Sequence, residues 1–140
     1  MGYTTDDTSY ISNRVNIQFG LSSLAAGCDD ASSTLRIHKD DFKMYNVNVT
    51  NTFPGKPGGS PAIALSEYGD RAAFYACAFI GFQDTLLAQQ GTQVYLNCYL
   101  EVNNLDKKNL EIDNQHFDRV PLISSLAKEV RLTLEATPLL

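Results

Sequence analysis

No run of about 18 apolar residues occurs anywhere in the sequence, so no segment reads as a membrane span. The opening residues, "MGYTTDDTSY", lack the basic and apolar regions of a signal peptide. A basic patch is also missing. Lys39 and Lys43 are interrupted by Asp40 and Asp41, Lys107-Lys108 stands alone, and the formal net charge is -5. Nucleic-acid binding needs clustered cations to neutralise phosphates, so that class of partner is excluded. An acidic chain gains nothing from its overall field towards a polyanion, so an acidic substrate would have to be masked or met at low pH. Cysteine is scarce. Cys28, Cys77 and Cys98 are too few for a disulfide framework. The two histidines, His38 and His116, have no convergent donors near them in sequence, so no metal site is expected and both read as structural or solvent-facing.

What remains is a chain of 140 residues, 44% hydrophobic, enough for one core or for part of a larger domain. Strand candidates fall at 14–19, 34–38, 42–51, 61–65, 73–82 and 93–102, rich in Val, Ile, Tyr and Phe and bounded by Gly, Pro, Asp and Ser. Val15, Ile17 and Phe19 alternate with Asn16 and Gln18, which predicts one buried face. The stretch "TFPGKPGGSP" is a connection. Cys28, in "AAGCDDASS", reads as a loop thiol without an evident partner. Asn48-Val49-Thr50 is a glycosylation sequon, relevant only in a secreted chain.

The strands resemble one another. "YNVNV" at 45–49, "YACAF" at 75–79 and "LNCYL" at 96–100 share a pattern in which Val47, Cys77 and Cys98 precede a larger apolar residue by two positions. A second series pairs Leu35 and Ile37 with Ile63 and Leu65. Short-strand repeats of roughly 20 to 30 residues predict a solenoid, and the absence of long helices makes it a parallel β-helix with rungs about 4.8 Å apart. An irregular β-sandwich is the alternative. Cys77 and Cys98 would stack inside the coil, read as free buried thiols in preference to a disulfide. Tyr68, Phe74, Tyr75 and Phe79 read as core or rung-stacking aromatics, and Asp70-Arg71 as a turn ion pair of little worth. The expected division is a partial β-helix over 1–102 and a divergent, irregular or helical tail over 103–140. In that tail Ile123, Leu126, Val130 and Leu134 have helix-compatible spacing, which suits a cap or a continuation foreign to the fold.

One motif carries chemistry. Gln83 and Asp84 sit together inside the apolar stretch "CAFIGFQDTLLAQQGTQVYLNCYLE". Partial desolvation of Asp84 beside Phe79, Phe82 and Leu86 would raise its pKa towards that of a general acid. The Gln83 carboxamide can donate to a developing oxyanion. The pair suits ester or amide cleavage, and an ordinary turn capped by Asp84 is the competing reading.

"GFQDTLLAQQGTQVYLNCYLE" resembles the fungal pectinesterase signature, an aromatic, Gln-Asp-Thr-Leu, then a strand ending Tyr-aliphatic-Glu. "GYTTDDTSYISNRVNI", "YNVNVTNTF" and "AIALSEYGDRAAFYACAFIGFQDTL" extend the resemblance over about residues 2–101. The resemblance implies a right-handed parallel β-helix that removes methyl groups from galacturonate esters of pectin, releasing methanol without metal or cofactor. It implies a secreted monomer. By motif, Asp84 would be the general acid and then the base that activates water, and Gln83 an oxyanion donor. Phe82 would be a substrate-binding aromatic that stacks on a sugar ring.

Three departures qualify that expectation. The family's other oxyanion Gln falls at Pro61, and losing one such donor costs about 100- to 1,000-fold in rate. The family's nucleophile block after Tyr-aliphatic-Glu is replaced by "VNNLDKKNL". The nucleophile position becomes Leu105, and Asp106 is one residue off, which in a strand turns it to the other face. The Arg-bearing "GRPW" block and the rung upstream of Gly2 are missing. The resemblance therefore implies a fragment with a replaced end, such as a truncated gene model read through an intron from Val102, with impaired activity. The alternative is a non-catalytic solenoid that binds polygalacturonate or serves structurally.

Overall fold

The computed structural model describes residues 1–56 and 59–102. Ten short strands and two single-turn helices follow in order: β1 (Val15–Phe19), α1 (Ser23–Ala26), α2 (Asp29–Ser32), β2 (Leu35–Ile37), β3 (Lys43–Tyr45), β4 (Val47–Asn51), β5 (Leu65–Glu67), β6 (Ala72–Tyr75), β7 (Ala78–Gly81), β8 (Leu86–Ala88), β9 (Gln93–Leu96) and β10 (Tyr99–Val102). All named strand pairs are parallel, in three sheets ordered β1-β4-β7-β10, β2-β5-β8 and β3-β6-β9. Each turn of the chain adds one strand to every sheet, which is a parallel β-helix.

The repeats seen in sequence are the rungs. Tyr45 pairs with Tyr75 and Tyr75 with Leu96, while Val49 pairs with Phe79 and Phe79 with Leu100. Inward-facing columns form the core. Met44, Phe74 and Tyr95 stack in one column, with the Phe74 and Tyr95 rings 4.8 Å apart and nearly parallel. Phe79 meets both edge-on. Tyr45 and Tyr75 stack at 4.7 Å in a neighbouring column, as rung-stacking aromatics should. The buried face expected of Val15, Ile17 and Phe19 is not formed: β1 is the edge strand of the first sheet among the described residues and all five of its residues are exposed, Ile17 by 38% although its partner Val49 is fully buried.

Other expectations about the strands change. The continuous strands anticipated at 42–51, 73–82 and 93–102 each break in two, at Asn46, Ala76 and Asn97. All three residues adopt left-handed backbone, with φ of 56°, 48° and 52°. Each kink turns the chain from one sheet to the next. The strand expected at 61–65 lies at Leu65–Glu67, and Leu35 pairs with Leu65 and Ile37 with Glu67, not with Ile63 and Leu65. All residues from 62 to 67 are buried, so no alternation marked the face. Cys28 lies in the bend expected of it, and a short helix stands on either side. Ser22 caps α1 through its side chain, Gly27 ends it at φ 90°, and exposed Cys28 occupies the N-cap position of α2.

Polar side chains stitch the long connections to the coil. Asn51 Nδ2 donates to the carbonyls of Leu21, Ser32 and Ile63 at 2.9, 3.1 and 3.0 Å. Asp30 on α2 accepts from Ser66 Oγ at 2.6 Å and pairs with His38 at 3.2 Å, whose ring lies against Tyr68. The sequon residue Asn48 is half-buried within β4, and its Oδ1 accepts from Asn13 Nδ2 at 2.7 Å, so it is not a free loop asparagine. Arg71 pairs with Asp70 and, bidentately, with Asp41 in the rung below. The expected tail over 103–140, with its helical stretch and His116, lies outside the described residues.

Candidate active site

Rungs differ at one corner. Between β1 and β2 stand both helices, between β4 and β5 the Gly- and Pro-rich connection, and between β7 and β8 only residues 82–85. The tight turn in the third rung carries Phe82, Gln83 and Asp84.

Backbone and side-chain bonds clamp this turn on both sides. The Gln83 carbonyl accepts from Ala62 N at 3.0 Å, and the Thr85 carbonyl accepts from Ala64 N and Leu65 N at 2.9 and 3.2 Å. From the next rung, the Glu101 carbonyl accepts from Thr85 Oγ1 at 2.9 Å. Asp84 takes left-handed backbone, φ 53°, a conformation in which Asp is among the better-tolerated residues. Phe82, Gln83 and Asp84 are each half-buried. The Gln83 Oε1 atom is buried without a hydrogen-bond partner among the described residues. A buried carboxamide oxygen left unmatched is costly in a finished structure and marks a place where a further donor belongs. The Phe82 ring packs against Gly55, where any side chain would collide with it. Phe79, expected beside Asp84, points instead into the core between Phe74 and Tyr95.

The fold thus brings Phe82, Gln83 and Asp84 together in one pinned turn. Pro61 stands one residue before Ala62, and its carbonyl accepts from Ser23 N at 2.8 Å and Ser23 Oγ at 3.2 Å. It supports α1 and offers no donor towards the turn. Leu105 and Asp106, the candidate nucleophile positions, lie outside the described residues. Thr85 was not singled out in the sequence, although its place next to Asp84 and its full burial make it the anchor of the turn.

Sequence reading also missed a buried carboxyl. Glu67 sits fully buried at an inward position of β5, between Ile37 below and Ala88 above. Its Oε1 accepts from Gly69 N at 2.5 Å, and its Oε2 has no partner among the described residues. Burial pushes its pKa up to about 7, against the opposing pull of the Gly69 bond. The signal was register. Glu67 lies one rung above Ile37, but a Glu in an apolar column does not announce itself without the pairing.

Comparison with known proteins decides the family. The Pectinesterase family model matches residues 8–104. The chain belongs to the pectinesterase family. The probable pectinesterase A of Neosartorya fischeri is 50% identical over 100 residues, covering 71% of this chain and 30% of that protein. The crystal structure of the pectin methylesterase from Aspergillus niger in deglycosylated form superposes with a TM-score of 0.65 at 43% identity, covering 69% of this chain and 31% of that one. Pectin methylesterase PemA from Erwinia chrysanthemi, at 24% identity and a TM-score of 0.56 over 66% of this chain and 32% of its own, shares the fold. The chain therefore spans about 30% of the length of the curated relatives it matches. Its matched part includes every residue of the 82–85 turn.

Proposed function

We propose that this chain carries the acid–base and oxyanion half of a site for hydrolysing the methyl esters of galacturonate residues in pectin. Asp84 protonates the departing methoxide and then takes a proton from the water that completes hydrolysis. Gln83 donates its carboxamide hydrogens to the oxyanion of the tetrahedral intermediate. Phe82 offers a ring face to a sugar of methyl-esterified homogalacturonan. The reaction draws on no metal or cofactor, and the chain works outside the cell as a monomer. The carrying observation is the pinned turn 82–85, which holds a carboxylate and a half-buried carboxamide on consecutive residues within the matched family region.

Leu105 has no nucleophilic group and Pro61 has no side-chain donor, so turnover by this chain falls far below that of a pectinesterase with both groups. The same two residues favour a second reading, a solenoid that binds polygalacturonate without cleaving it. Methanol release from esterified pectin by the purified chain separates the two. Release that disappears in Asp84→Asn supports the esterase reading. Release unchanged in Asp84→Asn overturns the role given to Asp84. Pectin binding with no release at any enzyme concentration selects the binding module.

A further inference from the structure

Cys77 and Cys98 lie outside the turn just described, and the proposal about them stands independently of the esterase reading. They occupy equivalent positions in adjacent rungs. Each follows a left-handed corner residue, Ala76 or Asn97. The pairs on either side, Tyr75 with Leu96 and Ala78 with Tyr99, fix Cys77 opposite Cys98. Tyr99 N donates to the Cys77 carbonyl at 2.8 Å, which locks that register at the cysteines themselves. Adjacent parallel strands lie about 4.8 Å apart, inside the roughly 4.4 to 6.8 Å between Cα atoms that a disulfide spans.

The side chains converge as well. Cys77 is fully buried in the core, and Cys98 packs against the same core while remaining partly open to solvent. The two thiols hydrogen-bond to each other, which holds Cys77 below the usual thiol range and pushes Cys98 above it. The sulfurs also meet backbone carbonyls. Cys77 Sγ lies 3.3 Å from the Tyr75 carbonyl, and Cys98 Sγ lies 3.4 Å from the carbonyls of Phe74 and Leu96. Cys28 is exposed, on the N-cap of α2, between β1 and β2 rather than at this corner.

We infer that Cys77 and Cys98 are a disulfide site, closing a covalent bond between neighbouring rungs when the chain meets a low-molecular-weight disulfide such as oxidised glutathione. The solvent-open Cys98 sulfur passes its proton to Cys77 as it attacks one sulfur of the oxidant and releases a first glutathione thiolate. Cys77 then attacks Cys98 Sγ, forms the Cys77–Cys98 bond and expels the second glutathione thiolate. The two thiol protons pass to the two leaving thiolates. Two protein thiols are thereby oxidised, and one disulfide is reduced to two thiols.

The test incubates the purified full chain with oxidised glutathione, in buffer and separately in concentrated urea. Remaining thiols are then alkylated in denaturant, and the linkages are mapped by mass spectrometry after cleavage between the cysteines. The expected product from buffer is lighter by two hydrogens, links Cys77 to Cys98, and is alkylated at Cys28 alone. It should need higher urea to unfold than the reduced chain, and the Cys77→Ser, Cys98→Ser double variant should show no such shift. The proposal is overturned if both thiols remain alkylatable, if Cys98 stops at a glutathione adduct, or if the linkage mixture matches that formed in urea. A chain that fails to fold gives that last result.

Discussion

Two corners of the coil can be set side by side. At one, each rung turns on a single left-handed residue, Asn46, Ala76 or Asn97, and continues into Val47, Cys77 or Cys98 without any change in length. At the other, the rungs carry two helices, a Gly- and Pro-rich connection and a four-residue turn in succession. The constant corner is where stacked backbone must repeat, with Asn46 N donating to Tyr75 O and Ala76 N to Leu96 O. The variable corner is where a rung can present something other than itself, and the candidate site lies there. Scaffold and chemistry are divided between opposite ends of the same strands.

Substitutions can break or sharpen this division. Phe74→Ala removes the ring between Met44 and Tyr95 in a fully buried column that serves every rung, so we expect a loss of about 3 to 5 kcal/mol, read by urea unfolding. Next comes Glu67→Gln, which keeps an acceptor for Gly69 N but cannot ionise. The folded pKa of Glu67 is raised to about 7 from the ordinary 4.5 of an exposed glutamate. Its protonated form therefore suits the fold, and the stability it permits is fully present below about pH 4.5 and lost as pH rises through about 7. At pH 8 the Gln variant should be the more stable by on the order of 3 kcal/mol, and at pH 4 the two should unfold together. A wild-type stability that does not fall between pH 5 and 8 would contradict the buried carboxylate.

A smaller effect compares the corners directly. Asn97 and Lys56 are both exposed, one at the constant corner and one in the variable connection. Asn97→Val forces a β-branched residue into left-handed backbone and should cost about 1 to 2 kcal/mol. Lys56→Val should stay within about 0.5 kcal/mol. Equal thermal shifts for the two would erase the distinction. Least of all, Arg71→Ala should change stability little despite its three aspartate neighbours, because the cluster is exposed, and the small effect should shrink in salt.

The sequence made the constant corner legible and the variable one only in part. Like residues recur above like at Tyr45, Tyr75 and Leu96, because rung stacking rewards it. The kinks inside those strands were invisible, since Ala76 is an unusual choice for left-handed backbone and sets no pattern. β5 was misplaced because α2 covers its outer face. Ser66 is as buried as Leu65 and bonds Asp30, so the two-residue alternation that marks a half-exposed strand is absent. α1 and α2, at four residues each, are too short for helical periodicity to register. Gln83 and Asp84 were found from their chemistry and motif. The clamp that Thr85 places on them depends on Glu101, a rung away, and only the register brings the two together.

Asn51 gives the coil a chemical lifetime as well as a shape. Its one amide group reaches carbonyls in three separate segments. Deamidation would replace those donors with a negative charge facing three oxygens, detaching both helices and the approach to β5 in a single event. Protein deamidated at that position, one mass unit heavier, would melt earlier than intact protein, although the residue takes no part in any reaction.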